Sequence, residues 1–201
     1  MDQDTPPSAS PEERIVLATV SCIERHGLQR LTVREIAKEA GVNSAAINYY
    51  FRSKEKLVAR AMATTLDHLF ADLEEIVADT TMSPRERIAE ILDYLIDGAT
   101  RYPGITKAHF SEALTRDGES APFVQRLNAL LGQARGLFSG SGRQDESSRR
   151  LDLELIDLIS SAMLPAIMPS FYRQFSGIDF RDSRTRKSYV HAIMERAELG
   201  T

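Results

Sequence analysis

The stretch Leu31–Phe51, LTVREIAKEAGVNSAAINYYF, constrains this chain more than any other. It reads as two helices, 33–40 and 44–50, joined by three residues. Helices this short do not hold alone in water, so each must pack on the other. Thr32 and Glu35 have the spacing of a capping box, in which side chains and backbone at a helix start satisfy one another's donors. Ala37 is small enough for a second helix to cross closely, and Gly41 tolerates the positive φ of a tight turn. Ile36, Ala40, Val42, Ile47 and Tyr50 fall where side chains would lock the pair from inside, and Asn43 is placed to cap the second helix. Together these features specify a helix-turn-helix.

The outward positions of the second helix indicate what it could touch. Ser44, Ala45 and Asn48 are small or polar, which permits close approach to base edges in a major groove. Tyr49, Arg52, Lys54 and Lys56 follow directly and suit phosphate oxygens. The 201-residue chain has a formal charge of −4, yet residues 25–60 carry eight lysines and arginines against three acidic residues. A compact basic module on an acidic body is the electrostatic footprint of a nucleic-acid-binding head. An αα-hairpin that merely packs a bundle is the competing reading.

Helix starts recur along the chain. Ser10-Pro11-Glu12-Glu13 and Ser83-Pro84-Arg85-Glu86 each supply a cap, a proline at the first helical position and a glutamate three residues after the cap. No segment alternates with β-branched enrichment, so the expected fold class is all-α. Helices are expected over 11–26, 33–40, 44–50, 54–79, 84–101, 104–116, 122–138, 146–164, 166–176 and 183–198. Pro165 and Pro169 are expected to break or kink what would otherwise be one long helix. Residues 1–10 read as a disordered tail, 11–55 as the helix-turn-helix DNA-binding domain, and 56–201 as an effector-binding and dimerisation domain; 139–145, SGSGRQD, is the clearest loop.

No apolar run approaches the length of about 18 residues that marks a membrane span. The N-terminus lacks the basic and apolar parts of a signal peptide, and a single cysteine, Cys22, offers neither a disulfide nor a metal-binding pair, which fits a cytoplasmic protein. There is no Gly-rich phosphate loop, nucleophile elbow or HExxH motif, so neither an enzyme nor a cofactor is expected. His109 and Glu112 stand three residues apart, but no third ligand is evident and no metal is expected.

In the body, Tyr94, Tyr102, His109, Phe110, Phe123, Met163 and Met168 are candidate effector contacts, since aromatic and thioether groups around a few polar ones suit an apolar or aromatic ligand. Plain core is the competing reading for each. Residues 151–164, LDLELIDLISSAML, are apolar on more than one face, which calls for burial beyond the segment's own domain. Pairing across a twofold axis through Leu155, Leu158, Ile159, Tyr189 and Ile193 would provide it; a central helix within a monomer is the alternative.

The head resembles the tetracycline-repressor (TetR) family of bacterial transcription regulators. The likeness rests on Leu31-Thr32-Val33-Arg34-Glu35-Ile36-Ala37, on Ala40-Gly41-Val42, and on Tyr50-Phe51-Arg52-Ser53-Lys54-Glu55-Lys56-Leu57. It implies a homodimer binding a palindromic double-stranded DNA operator, a body that binds a small effector, and repression more than activation. By position it implies that Arg34 contacts a base or phosphate, that Ser44, Ala45, Ala46 and Asn48 face bases, and that Tyr49 and Lys54 hold phosphate. Many members have tyrosine where this chain has Asn48, which implies an altered base preference. The alternatives are an all-helical small-molecule-binding protein or a dimeric adaptor, either with a purely structural hairpin.

Overall fold

The computed structural model describes residues 10–114, 118–138 and 146–199; of the tail expected over 1–10, residues 1–9 lie outside them, as does the loop at 139–145, while Ser10 is the N-cap of the first helix. Among the described residues the chain forms ten α-helices and no strand. They are α1 (Pro11–His26), α2 (Val33–Ala40), α3 (Ser44–Phe51), α4 (Lys54–Ala78), α5 (Pro84–Arg101), α6 (Pro103–Ala113), α7 (Pro122–Gly136), α8 (Glu146–Ile167), α9 (Pro169–Ser176) and α10 (Ser183–Arg196). The boundaries follow local chemistry. Helices α1, α5, α6, α7 and α9 each start on a proline, whose missing N–H would be unpaired there anyway. Complete capping boxes close the starts of α1, α2 and α5 through Ser10/Glu13, Thr32/Glu35 and Ser83/Glu86. No helix among the described residues is long and apolar enough to cross a membrane.

Two apolar cores divide the molecule. The head core joins Ile15 and Ile23 of α1, Ile36 of α2, Ile47 and Phe51 of α3, and Leu57 and Ala61 of α4. The body core is built on α5 and α8, through Leu92, Ile96, Leu155, Leu158 and Ala162, with Phe70, Phe123 and Ile193 packed around them. The head core does not stop at residue 55, because the first turns of α4 and also Ile105 and Ala108 of α6 belong to it. Helix α4 is shared, giving Leu57 and Ala61 to the head and Leu66, Phe70 and Leu73 to the body. Head and body are therefore joined twice, by α4 and by the start of α6.

The second joint is close. Glu24 of α1 accepts a hydrogen bond from the Ile105 N–H at 2.9 Å, which occupies a free donor in the first turn of α6. A side-chain carbon at Gly104 would run into the Glu24 backbone, so only glycine permits this approach.

Two expectations are corrected here. Pro165 does not end a helix: α8 continues through it to Ile167, and the break falls at Met168 before Pro169. Proline cannot donate to the Ser161 carbonyl one turn back, but the Tyr189 hydroxyl of α10 does so at 2.8 Å. Tyr50 is not an inward lock of the helix-turn-helix; it is 39% exposed, and Phe51 at 7% takes the interior position.

Long-range polar contacts fix the last helix. The buried Arg186 guanidinium of α10 donates to Asp93 of α5 at 2.8 Å and to the Phe180 carbonyl at 3.1 Å, with Asp97 3.0 Å away. Arg85 donates to the Met194 and Ala197 carbonyls at 2.6 and 3.0 Å, which closes the C-terminal end of α10.

Candidate nucleic-acid interface

The geometry of the head begins with its turn. Gly41 sits in the left-handed region at φ 66° and ψ 34°, and its N–H closes α2 by bonding back to that helix. Asn43 then caps α3, its side-chain oxygen accepting from the Ala46 N–H at 2.9 Å. Arg25 of α1 pairs with Glu39 of α2 at 2.6 Å, with the Ser21 hydroxyl on the same carboxylate, and holds the pair against the first helix.

With Ile47 and Phe51 turned into the core, one helical turn apart, the opposite face of α3 is fixed. Ser44, Ala45, Asn48 and Tyr49 are exposed there and Ala46 is half-buried; Tyr49 is 70% exposed. Tyr50 meets the Tyr49 ring edge-on at 5.1 Å and so stiffens it. Arg34 is exposed in the first turn of α2. Arg52 and Lys56 are exposed beside α3, and Lys54 is half-buried at the first position of α4, where Ser53 caps the helix. Such a surface can admit a base pair edge against small side chains and surround it with phosphate-binding groups.

The expected effector residues do not form one cluster. His109, Phe110 and Phe123 come together: the His109 ring stacks on Phe123 at 6.2 Å, and Phe110 lies 5.2 Å from the same ring. Tyr94 stands on α5, half-buried, donating to Asp72 of α4; burial and that carboxylate push its hydroxyl up to about 12. Met163 is half-buried against the body core, whereas Tyr102 and Met168 are 53% and 48% exposed.

His109 is the most informative of them. Thr65 donates its hydroxyl hydrogen to the Met62 carbonyl at 2.8 Å. The 2.9 Å contact between Thr65 Oγ1 and His109 Nε2 must then be donated by the imidazole, which leaves Nδ1 as an acceptor. That Nδ1 is buried and without a hydrogen-bond partner. Burial also drives the ring's pKa down to about 4, so it is neutral near pH 7. An unpaired buried acceptor costs about 1–3 kcal/mol, which a donor from a ligand would offset.

The residues expected at a dimer interface mostly face inward. Leu155, Leu158, Ile159 and Ile193 are buried within the protomer, and Tyr189 is half-buried and engaged with Ser161. The apolar surface that α8 and α9 leave uncovered is a neighbouring stripe: Leu153, Ile156, Leu164, Phe171 and the 81%-exposed Phe175. Phe171 and Phe175 stack on each other at 6.2 Å. Sequence periodicity located these helices but not which of their apolar faces belongs to the protomer. The Arg186–Asp93 pair was also missed, its only sequence signal being two aspartates one turn apart in an apolar helix.

Residues 15–61 match the family model of bacterial regulatory proteins of the tetR family. Over 90 residues the chain is 38% identical to the transcriptional repressor KstR2 of Mycolicibacterium smegmatis, an alignment spanning 44% of this chain and 43% of that protein. The chain thus spans less than half of that relative's length. It is 26% identical to the nucleoid occlusion factor SlmA of Shewanella amazonensis over 88% of each chain. A TetR transcription regulator from Haloarcula marismortui has the same fold, with a TM-score of 0.69 over 93% of this chain and 97% of that one at 19% identity.

Proposed function

We propose that this chain, whose residues 15–61 match the family model of bacterial regulatory proteins of the tetR family, is a DNA-binding regulator of that family: a ligand-released repressor that binds a palindromic operator as a homodimer. The observation that carries the reading is the exposed face of α3, small at Ser44, Ala45 and Ala46, polar at Asn48, and flanked by Tyr49, Arg52 and Lys54. In this reading Asn48 hydrogen-bonds a base edge, adenine by preference. Tyr49 and Lys54 hold phosphates, helped by the N-terminal N–H groups of α4, and Arg34 reaches from α2 to a base or phosphate.

The uncovered stripe on α8 and α9 supports a twofold partner. Large exposed apolar patches are rare on monomers, and a second copy pairing there would give the head a symmetric mate. Two α3 helices set about 34–36 Å apart would then read successive major grooves. The unpaired His109 Nδ1 beside Phe110 and Phe123 supports a body-bound effector that is apolar or aromatic and carries one N–H or O–H donor. Because α4 and α6 both join body to head, a shift at His109 and Thr65 has two routes into the head, through α4 to α3 and through α6 to α1.

Affinity for duplex DNA at several salt concentrations tests the reading. Lys54→Ala is expected to weaken binding to matched and scrambled DNA alike and to reduce the salt slope by about one phosphate contact. Asn48→Ala is expected to cost about 1–3 kcal/mol on the matched site only. Equal losses for both variants on both DNAs would remove Asn48 as a reader of sequence. A second reading, a nucleoid occlusion factor, draws on the SlmA match over 88% of each chain. Binding sites scattered along a chromosome, with no promoter preference, would favour it.

A further inference from the structure

The face of α8 that the protomer leaves uncovered has an order of its own. Leu153, Ile156, Ser160 and Leu164 are exposed along it, three or four residues apart, and Met168 continues the spacing just past the helix. Steps of three and four keep side chains on one side of a helix. About Ser160 the stripe is nearly palindromic. Ile156 lies four residues before it and Leu164 four after, while Leu153 lies seven before and the half-buried Ile167 seven after. The central residue is the small one, and small side chains at a crossing let two helices approach closely.

Such an order fits a copy of itself running the other way. In a twofold contact the same patch serves both copies, so each residue before the centre lies level with one as far after it. The exposed area suits the same occupant. At roughly 200 Å² for each fully exposed large side chain, Leu153, Ile156, Leu164, Met168, Phe171 and Phe175 leave on the order of 650 Å² uncovered. That is most of the roughly 800 Å² that each partner buries in a stable interface. Helix α10 has no such face: Val190, Ile193 and Met194 turn inward, and Lys187, Ser188, His191 and Glu195 face out.

We propose that a second copy of this chain docks on the stripe with the two α8 helices antiparallel and crossing at Ser160. Ile156 then lies level with Leu164 of the partner subunit, Ser160 meets its own counterpart, and Phe171 and Phe175 extend the contact beyond Met168. The proposal rests on the homodimer reading above and adds its register. It leaves α10 outside the interface, unlike a pairing through Tyr189 and Ile193.

Sedimentation of the full chain at micromolar concentration tests it. Ile156→Lys and Leu164→Glu are each expected to weaken the dimer at least tenfold, because each sets a charge against an apolar counterpart. The double variant joins opposite charges across the seam and is expected to recover at least tenfold. The two positions are eight residues apart, about 12 Å along one helix, too far to pair within it. Ala192→Glu, on the free face of α10, is expected to leave the dimer intact. Under a mild oxidant Ser160→Cys is expected to form a disulfide-linked dimer, and Leu153→Cys is not, since its counterpart lies at the far end of the seam. Cys22 is buried, so the wild type serves as control. A wild type that sediments as a monomer overturns this proposal together with the homodimer reading. A dimer that survives both single charge variants overturns the proposal and leaves the homodimer reading standing. Loss in both single variants without recovery in the double, or cross-linking in Leu153→Cys and not in Ser160→Cys, also overturns the proposal and spares that reading.

Discussion

At Arg52 the backbone has φ 65° and ψ −31°, the one non-glycine residue at positive φ among the described residues. Such a conformation costs an L-residue about 1–3 kcal/mol and persists where surrounding structure or function requires it. Here the strain lets α3 stop and α4 start within two residues, and the Arg52 side chain stays exposed. Arg52→Gly is accordingly expected to raise stability by about 1 kcal/mol, read from thermal unfolding, while weakening DNA binding. His109 gives a pH signature. Its folded pKa of about 4 lies below the ordinary value of 6.5, so between those values the unfolded chain binds more protons. Stability from this group is complete above pH 6.5 and is lost as pH falls towards 4, by about 3 kcal/mol at most. His109→Gln is expected to flatten that part of the stability–pH curve. These residues also mark a limit of sequence reading. Three consecutive aromatics, Tyr49, Tyr50 and Phe51, all suit a helix-turn-helix, and only the packed core selects Phe51 for the interior.

Among the elements, those with local causes were legible. Capping boxes and proline starts placed α1, α2 and α5, and Gly41 with Asn43 placed α3, because each signal acts within a few residues. The continuation of α8 through Pro165 was not, since the hydroxyl that accepts the role of the lost N–H comes from Tyr189 on another helix. Nor was the joint between α1 and α6, which rests on a glycine with no local pattern to mark it. Gly104→Ala is expected to force α6 away from Glu24, lowering stability by about 1–3 kcal/mol. Hydrogen exchange should quicken along α1 and the first turn of α6 and stay unchanged in α8 and α10. Faster exchange in all four would mean that the joint holds the whole fold and does not specifically tie head to body.

For the whole molecule, two cores joined by α4 and α6 give an economy of parts. In the proposed reading the head presents α3 to DNA, the body offers the His109 cluster to an effector, and the apolar stripe on α8 and α9 meets a second copy. The sequence made the head legible as a DNA-binding element because its chemistry is compressed into about twenty residues. It left the partner surface ambiguous, because an apolar helix can bury one face at home and another abroad, and periodicity does not label them. The central claim, a symmetric regulator that reads DNA with α3, is tested most directly by selecting bound sequences from random duplexes with the purified, ligand-free protein near physiological salt. The account predicts an inverted repeat whose half-sites fall in successive major grooves, with Asn48→Ala relaxing one base pair in each half. Recovery of no preferred sequence, or of a single unrepeated half-site, would contradict it.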